Sequence, residues 1–226
     1  MNADKEGKIL FTILLIPIMM RVTNMVPEEW KLAVVFVGKG IKMIEVEVKL
    51  PIEDWAGIKR KLLMTGFRET AFMEERDTYF DNRQGDIKAD GEALRVRETK
   101  DRITGKSRAQ INFKGKKLDA CTMTRVELET GVEDGAVCRN ILQAIGYIPA
   151  DPEVIKDRTM LRKESVTACL DNVRGLGIFL ELEILADSEE KKEAALGQIE
   201  KILNGLGYQI SDTVGVSYLS MLQSKW

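Results

Sequence analysis

The stretch Ile44-Glu45-Val46-Glu47-Val48-Lys49-Leu50 alternates charged and apolar residues at every second position. This period of two is typical of a β-strand with one polar and one apolar face. Glu45, Glu47 and Lys49 share the polar face, where successive residues lie about 6.6 to 6.8 Å apart. Two carboxylates at that spacing repel each other by about 2.5 kcal/mol at an effective dielectric constant near 20, and a bound cation relieves the repulsion. Taken alone, the segment is more simply interpreted as an antiparallel strand with its polar face in water.

Two later stretches repeat the Glu-x-Glu pattern, namely Arg125-Val126-Glu127-Leu128-Glu129 and Phe179-Leu180-Glu181-Leu182-Glu183-Ile184. Each of the three strands is followed by a segment with apolar residues at helical spacing. A sheet with an apolar face must bury that face, so we expect these segments to form amphipathic helices that cover it. The first segment is residues 51–66. The second has its apolar residues at Val137, Ile141, Leu142 and Ile145 and ends at Gly146. The third lies between Ser188 and Gly207 and has its apolar residues at Leu196, Ile199, Leu203 and Leu206.

Shorter strands between these units carry basic residues at the same period, as in Leu94-Arg95-Val96-Arg97, Ile111-Asn112-Phe113-Lys114-Gly115 and Lys156-Asp157-Arg158. A charged sheet face of this kind must lie either in water or inside a closed barrel. Sustained Glu-x-Glu and Arg-x-Arg spacing over several strands favours a ligand-binding face. Its cations are Lys49, Arg95, Arg97, Lys114, Arg125, Lys156 and Arg158, and its carboxylates are Glu45, Glu47, Glu127, Glu129, Glu181 and Glu183.

The mixture of charges indicates the chemistry of the ligand. Clustered arginines and lysines bind phosphoryl oxygens through charge-assisted hydrogen bonds. Paired carboxylates bind hard divalent cations such as Mg²⁺ or Mn²⁺, so a metal-bound polyphosphate satisfies both sets. The sequence has no GxxxxGK[ST] loop, which excludes a P-loop, and Gly175 and Gly177 predict a hairpin turn.

The composition narrows the chemistry further. The 226 residues include no histidine, which excludes Ser-His-Asp and Cys-His catalysis and a His-ligated zinc site. Charged residues make up 31% of the chain but the formal net charge is only -2, so nothing suggests disorder or nucleic-acid binding. Three cysteines without a CxxC pair favour a reducing compartment, and we expect a cytoplasmic protein without a Cys-based zinc site.

Residues 1–42 differ from the rest of the chain. Residues 9–20 (ILFTILLIPIMM) are apolar, but the run is too short for the roughly 20 residues that a bilayer requires and is interrupted by Pro17. A signal peptide is disfavoured because no small-x-small cleavage site follows. The alternatives are an extra packed segment, or sequence upstream of a native start at Met43. We therefore expect residues 1–42 to be an N-terminal extension and residues 43–226 to form the main domain.

Together, the ordered motifs resemble the CYTH family, which unites class IV adenylate cyclases, thiamine triphosphatases and inorganic triphosphatases. Besides the strands quoted above, the resemblance includes Asp77-Thr78-Tyr79-Phe80, the run from Leu170-Asp171 to Glu183, and the pair Ser217-Tyr218. It extends from Met43 to about Leu222. It implies an α+β fold in which a closed antiparallel eight-stranded β-barrel, the triphosphate tunnel, has helices outside and charged faces inside.

The resemblance also implies roles for individual residues and a cofactor, Mg²⁺ or Mn²⁺. The residues implied to carry catalysis are Glu45, Glu47, Lys49, Arg125 and Lys156. The acids implied to hold metal, directly or through water, are Glu45, Glu47, Glu127, Glu129, Asp171, Glu181 and Glu183. The implied triphosphate clamp consists of Lys49, Arg95, Arg97, Lys114, Arg125, Lys156 and Arg158.

The reaction stays open between three alternatives. The motif run most resembles the class IV cyclases, which implies conversion of ATP to cyclic AMP and pyrophosphate. The second alternative is hydrolysis of inorganic triphosphate, thiamine triphosphate or a nucleoside triphosphate, and the third is a non-catalytic module that binds nucleotide or polyphosphate. The expected partner is a small-molecule triphosphate, with neither nucleic acid nor membrane, and the cyclase resemblance implies a homodimer. Met160 and Leu161 stand where the family pattern has an aromatic residue, which weakens any prediction of ring stacking there.

Overall fold

The computed structural model describes residues 44–117, 125–186 and 188–224. In chain order, its strands are β1 (Ile44–Pro51), β2 (Arg68–Asp81), β3 (Ala93–Asp101), β4 (Ser107–Lys117), β5 (Arg125–Val132), β6 (Ile148–Pro149), β7 (Val154–Lys163), β8 (Val166–Val173) and β9 (Gly177–Ala186). Its α-helices are α1 (Trp55–Met64), α2 (Asp86–Ala89), α3 (Gly135–Ala144), α4 (Glu189–Leu206) and α5 (Tyr218–Gln223), and a short 3₁₀-helix (Ile210–Asp212) precedes α5.

Eight of these strands form a closed antiparallel barrel. They pair in the order β3-β4-β5-β1-β9-β8-β7-β2, and β2 pairs with β3 to close the ring. The joint between β5 and β1 is short, since Ile44 and Glu45 are the β1 residues that pair there, with Val126 and Arg125. β6 adds two residues beside the end of β2. The predicted α+β fold with a closed eight-stranded barrel is therefore confirmed.

The main apolar core lies outside the barrel. The alternation along β1, β8 and β9 places Val46, Leu170 and Leu182 on the outer face, where each is fully buried. Leu62 of α1 and Leu203 of α4 pack against this face and are fully buried as well. Burying one such side chain contributes about 1.5 to 3 kcal/mol. Since the two helices cover the apolar face, the charged residues between these positions face the barrel interior.

Helix α3 covers the barrel less fully than its apolar spacing predicts. Leu142 packs with Val96 of β3 and is buried, but Val137, Ile141 and Ile145 are 52%, 55% and 66% exposed. The prediction that this stripe covers the sheet is therefore wrong at three of its four positions. The helix begins in close contact with β4, because a Cβ atom on Gly135 would lie only 3.0 Å from that of Ala109. This contact and Leu142 set the side of α3 that faces the strands.

One end of the barrel is covered by the C-terminal helix. Tyr218 and Leu222 of α5 pack against Val154, Val173 and Phe179, which lie on the inner faces of β7, β8 and β9. The predicted hairpin turn between β8 and β9 is confirmed, with Gly175 and Gly177 at φ of +81° and +109°, where glycine is favoured.

No helix within the described ranges is long and apolar enough to span a bilayer. The predicted N-terminal extension, residues 1–42, lies outside the described residues, and the division between extension and main domain stays a prediction.

Candidate functional site

The period of two brings the charged residues of the barrel strands onto one inner surface. Lys49, Arg97, Lys156 and Arg158 are each no more than 7% exposed, and Asp171 is fully buried. Buried charges are stable only when they are paired, and here each cation lies within 4 Å of at least one carboxylate. Among the predicted site residues, Arg125 is the one whose side chain lies outside the described part of the chain.

Three of the predicted metal-binding acids meet at one point of this surface. Carboxylate oxygens of Glu45, Glu47 and Glu183 lie within 4.8 Å of one another, so one cation can contact all three. The ammonium group of Lys114 lies beside them, with Nζ 2.7 Å from Glu45 Oε2 and 3.6 Å from Glu47 Oε2. Its contact with Glu127 measures 3.3 Å. Lys114 therefore supplies part of the positive charge that this acid group requires.

The pKa values of the acid group reflect burial opposed by neighbouring cations. Burial raises the pKa of Glu45 well above its usual range, although Lys114 opposes the rise. Burial, together with Glu181 and Glu47 and against the effect of Arg158, raises the pKa of Glu183 to about 7. Despite burial, Lys114 holds the pKa of Glu127 at about 2. Near neutral pH, Glu183 is therefore a group that can bind or release a proton.

Asp171 and Glu181 are engaged elsewhere. Arg158 donates to Asp171 through Nε and Nη2 at 2.7 and 2.6 Å, and Lys156 Nζ lies 3.0 Å from the same carboxylate. Glu181 contacts Arg158 and lies 3.3 Å from Lys49 Nζ. Although burial opposes it, Arg158 and Lys49 hold the pKa of Glu181 well below its usual range. The structure thus places these two acids among the clamp cations and not with the group of Glu45, Glu47 and Glu183.

Glu129 lies next to the acid group but contacts amides. Gln110 Nε2 donates to Glu129 Oε2 at 2.6 Å, and the amide nitrogen of Asn112 contacts both Glu127 and Glu129. Asn112 is 1% exposed, and its Oδ1 has no hydrogen-bond partner among the described residues. The sequence places Asn112 beside Lys114 but gave no reason to select it as a site residue.

The sequence analysis did not identify two further acids of the site, Asp77 and Glu75. Asp77 accepts from Arg97 Nε and Nη2 at 2.6 and 2.7 Å and lies 3.2 Å from Arg95 Nη1. Glu75 lies 2.9 Å from Arg97 Nη1 and 3.3 Å from Lys156 Nζ. Although burial opposes it, Arg97, Lys156 and Arg158 hold the pKa of Glu75 at about 2. The spacing Glu75-x-Asp77 on β2 repeats the same-face acid pattern and is the signal that could have identified both.

The inner surface thus has two parts, an acid group and a set of fixed cations. The carboxylate oxygens of the acid group are the kind of ligand that a hard divalent cation prefers. The guanidinium groups of Arg97 and Arg158 at the second part are held by bidentate ion pairs, which fixes their orientation. Arg95 Nε is buried and has no hydrogen-bond partner among the described residues, so it is a spare donor. An anion with several phosphoryl oxygens and a bound metal ion matches this arrangement.

Comparison with known proteins agrees with this geometry. The CYTH domain model matches residues 43–218. A Methanocaldococcus jannaschii protein named "Putative adenylate cyclase MJ0240" is 32% identical over 179 residues, which cover 79% of this chain and 98% of that protein. The solved structure of the PH1819 protein from Pyrococcus horikoshii is similar with a TM-score of 0.73 and 30% identity, and covers 80% of this chain and 99% of its own.

A more distant structure shares the fold alone. It is that of HpAC1 from Hippeastrum, described as an adenylyl cyclase candidate with a dominant triphosphatase activity. It has a TM-score of 0.56 and 18% identity, and the match covers 81% of this chain and 96% of that one. Since the CYTH model covers most of the chain and the barrel carries its charged residues inside, this protein is a member of the CYTH domain family.

Proposed function

We propose that this protein is a metal-dependent enzyme that acts on a triphosphate substrate. The observation that supports the proposal most strongly is the pairing, on one buried surface, of the acid group Glu45, Glu47 and Glu183 with the fixed cations around Arg97 and Arg158. Neither part alone requires this ligand. A metal-bound chain of phosphoryl groups neutralises both parts at once, because the metal ion matches the carboxylates and the oxygens match the cations.

In this proposal, Glu45, Glu47 and Glu183 hold the metal ion. Their ligand atoms are all carboxylate oxygens, which Mg²⁺ and Mn²⁺ prefer. A metal ion bound there supplies charge stabilisation at phosphorus and lowers the pKa of an attacking hydroxyl group or water. Glu127 contacts Lys114 beside this group, and we assign Glu127 and Glu129 to contacts with the metal ion through water. The roles implied for Asp171 and Glu181 change, since we assign them to orienting Arg158, Lys156 and Lys49.

The clamp in this proposal binds the phosphoryl oxygens. Arg95, Arg97 and Arg158 donate hydrogen bonds whose directions are fixed by their carboxylate partners, so little side-chain entropy is lost on binding. Lys114 contributes a charge beside the acid group, where it contacts Glu45, Glu47 and Glu127. The role implied for Arg125 stays a prediction.

For the reaction, we favour conversion of ATP to cyclic AMP and pyrophosphate, because the relative that is 32% identical is named "Putative adenylate cyclase MJ0240". The ribose 3′-oxygen would attack the α-phosphorus, the bond from that phosphorus to the bridging oxygen would break, and pyrophosphate would leave. A metal ion held by Glu45, Glu47 and Glu183 would lower the pKa of the 3′-hydroxyl group, and the hydroxyl proton would pass to water.

Hydrolysis of a triphosphate is the second candidate. The charged inner surface accounts for binding of the phosphoryl groups. The inward-facing aromatic rings of Tyr79, Phe179 and Tyr218 instead belong to the apolar cluster at the end of the barrel that α5 covers. Hydrolysis needs only this phosphoryl-binding part and a water molecule. The fold is also shared with the Hippeastrum protein described as having dominant triphosphatase activity.

Product analysis tests both candidates. The full chain is incubated with ATP, inorganic triphosphate and thiamine triphosphate, with Mg²⁺ or Mn²⁺, and products are separated by ion-exchange chromatography. We expect cyclic AMP and pyrophosphate from ATP, and loss of both with Glu45→Gln but not with Glu69→Gln, which alters an exposed acid that pairs with Lys59. Orthophosphate as the sole product supports hydrolysis instead. If the protein binds every triphosphate but converts none of them, the result supports the third alternative, a non-catalytic binding module. Cytoplasmic localisation and the homodimer stay predictions.

A further inference from the structure

The aromatic ring of Tyr218 lies against two lysines of the site. Its centroid is 4.3 Å from Lys49 Nζ and 5.2 Å from Lys156 Nζ, both within the range of a cation–π interaction. Its hydroxyl group lies 3.1 Å from Asp171 Oδ2 and donates to it. The side chain is 5% exposed, so these interactions take place away from bulk water.

The placement of this ring is fixed by the chain around it. Ser217 caps α5 by accepting from the backbone N–H of Ser220 at 3.1 Å. Upstream, the N–H of Val214 donates to the carbonyl of Lys49 itself at 2.7 Å, which ties the segment before α5 to β1. The ring also makes an edge contact with Phe179 at a centroid distance of 5.0 Å. Tyr218 therefore has little freedom to move away from the lysines.

Two ammonium groups lie close to one aromatic ring, and the ring attracts both of them although they repel each other. Lys49 and Lys156 repel each other, and burial disfavours both charges. Glu181, 3.3 Å from Lys49 Nζ, and Asp171, 3.0 Å from Lys156 Nζ, offset part of this cost. The negative face of an aromatic ring attracts a cation, and this attraction is stronger where water is excluded. An aliphatic side chain of similar size would fill the same space without this attraction. The ring thus favours a geometry in which both lysines are charged and lie near each other.

We infer that Tyr218 is a positioning residue. It holds Lys49 and Lys156 close together, so that both ammonium groups bind the same phosphoryl group of the substrate. The inference rests on the proposed function, since it requires a phosphorylated ligand in the barrel. It adds a residue from outside the barrel strands to the determinants of substrate binding. It also gives the C-terminal helix α5 a part in the site beyond covering one end of the barrel.

Binding of inorganic tripolyphosphate to the full chain tests the inference. Calorimetry in EDTA measures the dissociation constant without turnover. We expect Tyr218→Leu to weaken binding about tenfold, the size of effect that loss of buried cation–π interactions produces. The control is Tyr208→Leu, which alters a partly buried tyrosine of the outer core, and it should leave the dissociation constant unchanged.

A double-mutant cycle separates positioning from a general structural effect. If Tyr218 acts through Lys49, the effects of Tyr218→Leu and Lys49→Met are not additive, whereas those of Tyr218→Leu and Arg95→Met are additive. Arg95 pairs with Asp77 and serves as the uncoupled comparison. Additive effects in the first cycle would overturn the inference.

A second pair of variants covers the case in which Tyr218→Leu does not fold. Tyr218→Phe keeps the ring, and Tyr218→trifluorophenylalanine keeps its shape while removing the negative charge from its face. We expect the fluorinated variant to bind tripolyphosphate several-fold more weakly than Tyr218→Phe. Equal binding by these two variants refutes the role of Tyr218 but leaves the proposed function intact. If the unmodified protein binds no tripolyphosphate either in EDTA or in millimolar Mn²⁺, both the proposed function and the inference fail.

Discussion

Replacing Lys114 by methionine should destabilise the metal-free protein far more than the metal-bound protein. The Lys114 ammonium lies 3.3 Å from Glu127, whose pKa of about 2 keeps it ionised, which corresponds to about 5 kcal/mol of attraction at an effective dielectric constant near 20, before the cost of burial. Removing one partner of a buried ion pair costs about 3 to 5 kcal/mol after that cost is included. For a domain of this size, that loss lowers the melting temperature by roughly 6 to 20 °C.

Divalent metal should restore much of this stability. A cation bound by Glu45, Glu47 and Glu183 supplies the positive charge that Lys114→Met removes. The assay is thermal unfolding followed by circular dichroism, in EDTA and in millimolar Mn²⁺. The matched control is Lys116→Met, because Lys116 lies on the same strand but is 61% exposed and pairs with Asp90. Its melting temperature should match that of the unmodified protein in both buffers.

An equal loss of stability with and without Mn²⁺ would refute this reasoning. It would mean that Lys114 supports the barrel by packing, or that the carboxylates around it do not bind a metal ion. A loss confined to EDTA, with none in Mn²⁺, is the outcome that the charge argument predicts most directly.

Three other outcomes are expected. Because Glu183 has a pKa of about 7 in the metal-free protein, raised from 4.5, protons compete with metal below that pH. Mn²⁺ affinity measured by calorimetry should rise at least about tenfold per pH unit up to 7, and Glu183→Gln should reduce the slope without removing it, because the pKa of Glu45 is raised as well. The same raised pKa means that metal-free stability falls as pH rises from about 4.5 through 7, which urea unfolding at several pH values would detect. Leu203→Ala, at a fully buried position of α4, should cost about 2 to 5 kcal/mol in urea unfolding, with an unchanged substrate dissociation constant.

The strands of the barrel and the shared face of their charges could be predicted from the sequence, whereas the inward direction of that face was implied by the family resemblance. Alternation is a local property, and the Glu-x-Glu segments of β1, β5 and β9 together contain enough repeats to select strand over helix. Each of them also has apolar residues at the intervening positions, which predicted burial of Val46 and Leu182 on the outer face correctly, whereas Leu128 of β5 is 50% exposed. The closed ring was an implication of the family resemblance, and pairing of β2 with β3 confirms it.

The partners of each charge could not be predicted in this way. Lys114 and Glu45 are 69 residues apart in the chain, and Tyr218 and Asp171 are 47 apart. Their contacts depend on the register between strands and on where β5 meets β1, which local spacing does not encode. The family resemblance grouped Asp171 with the metal-binding acids, whereas its carboxylate lies among Arg158, Lys156 and Tyr218.

By itself, then, the sequence determined that this chain forms strands with a charged face of both signs, since that information lies in residues two apart. Only the tertiary structure decided which acids lie together and which pair with arginines and lysines, because these contacts require the ring to be closed. The position of Tyr218 depends on the same closure. Its helix reaches Lys49 and Lys156 only because β1, β7 and β8 bring their inner faces together beneath α5.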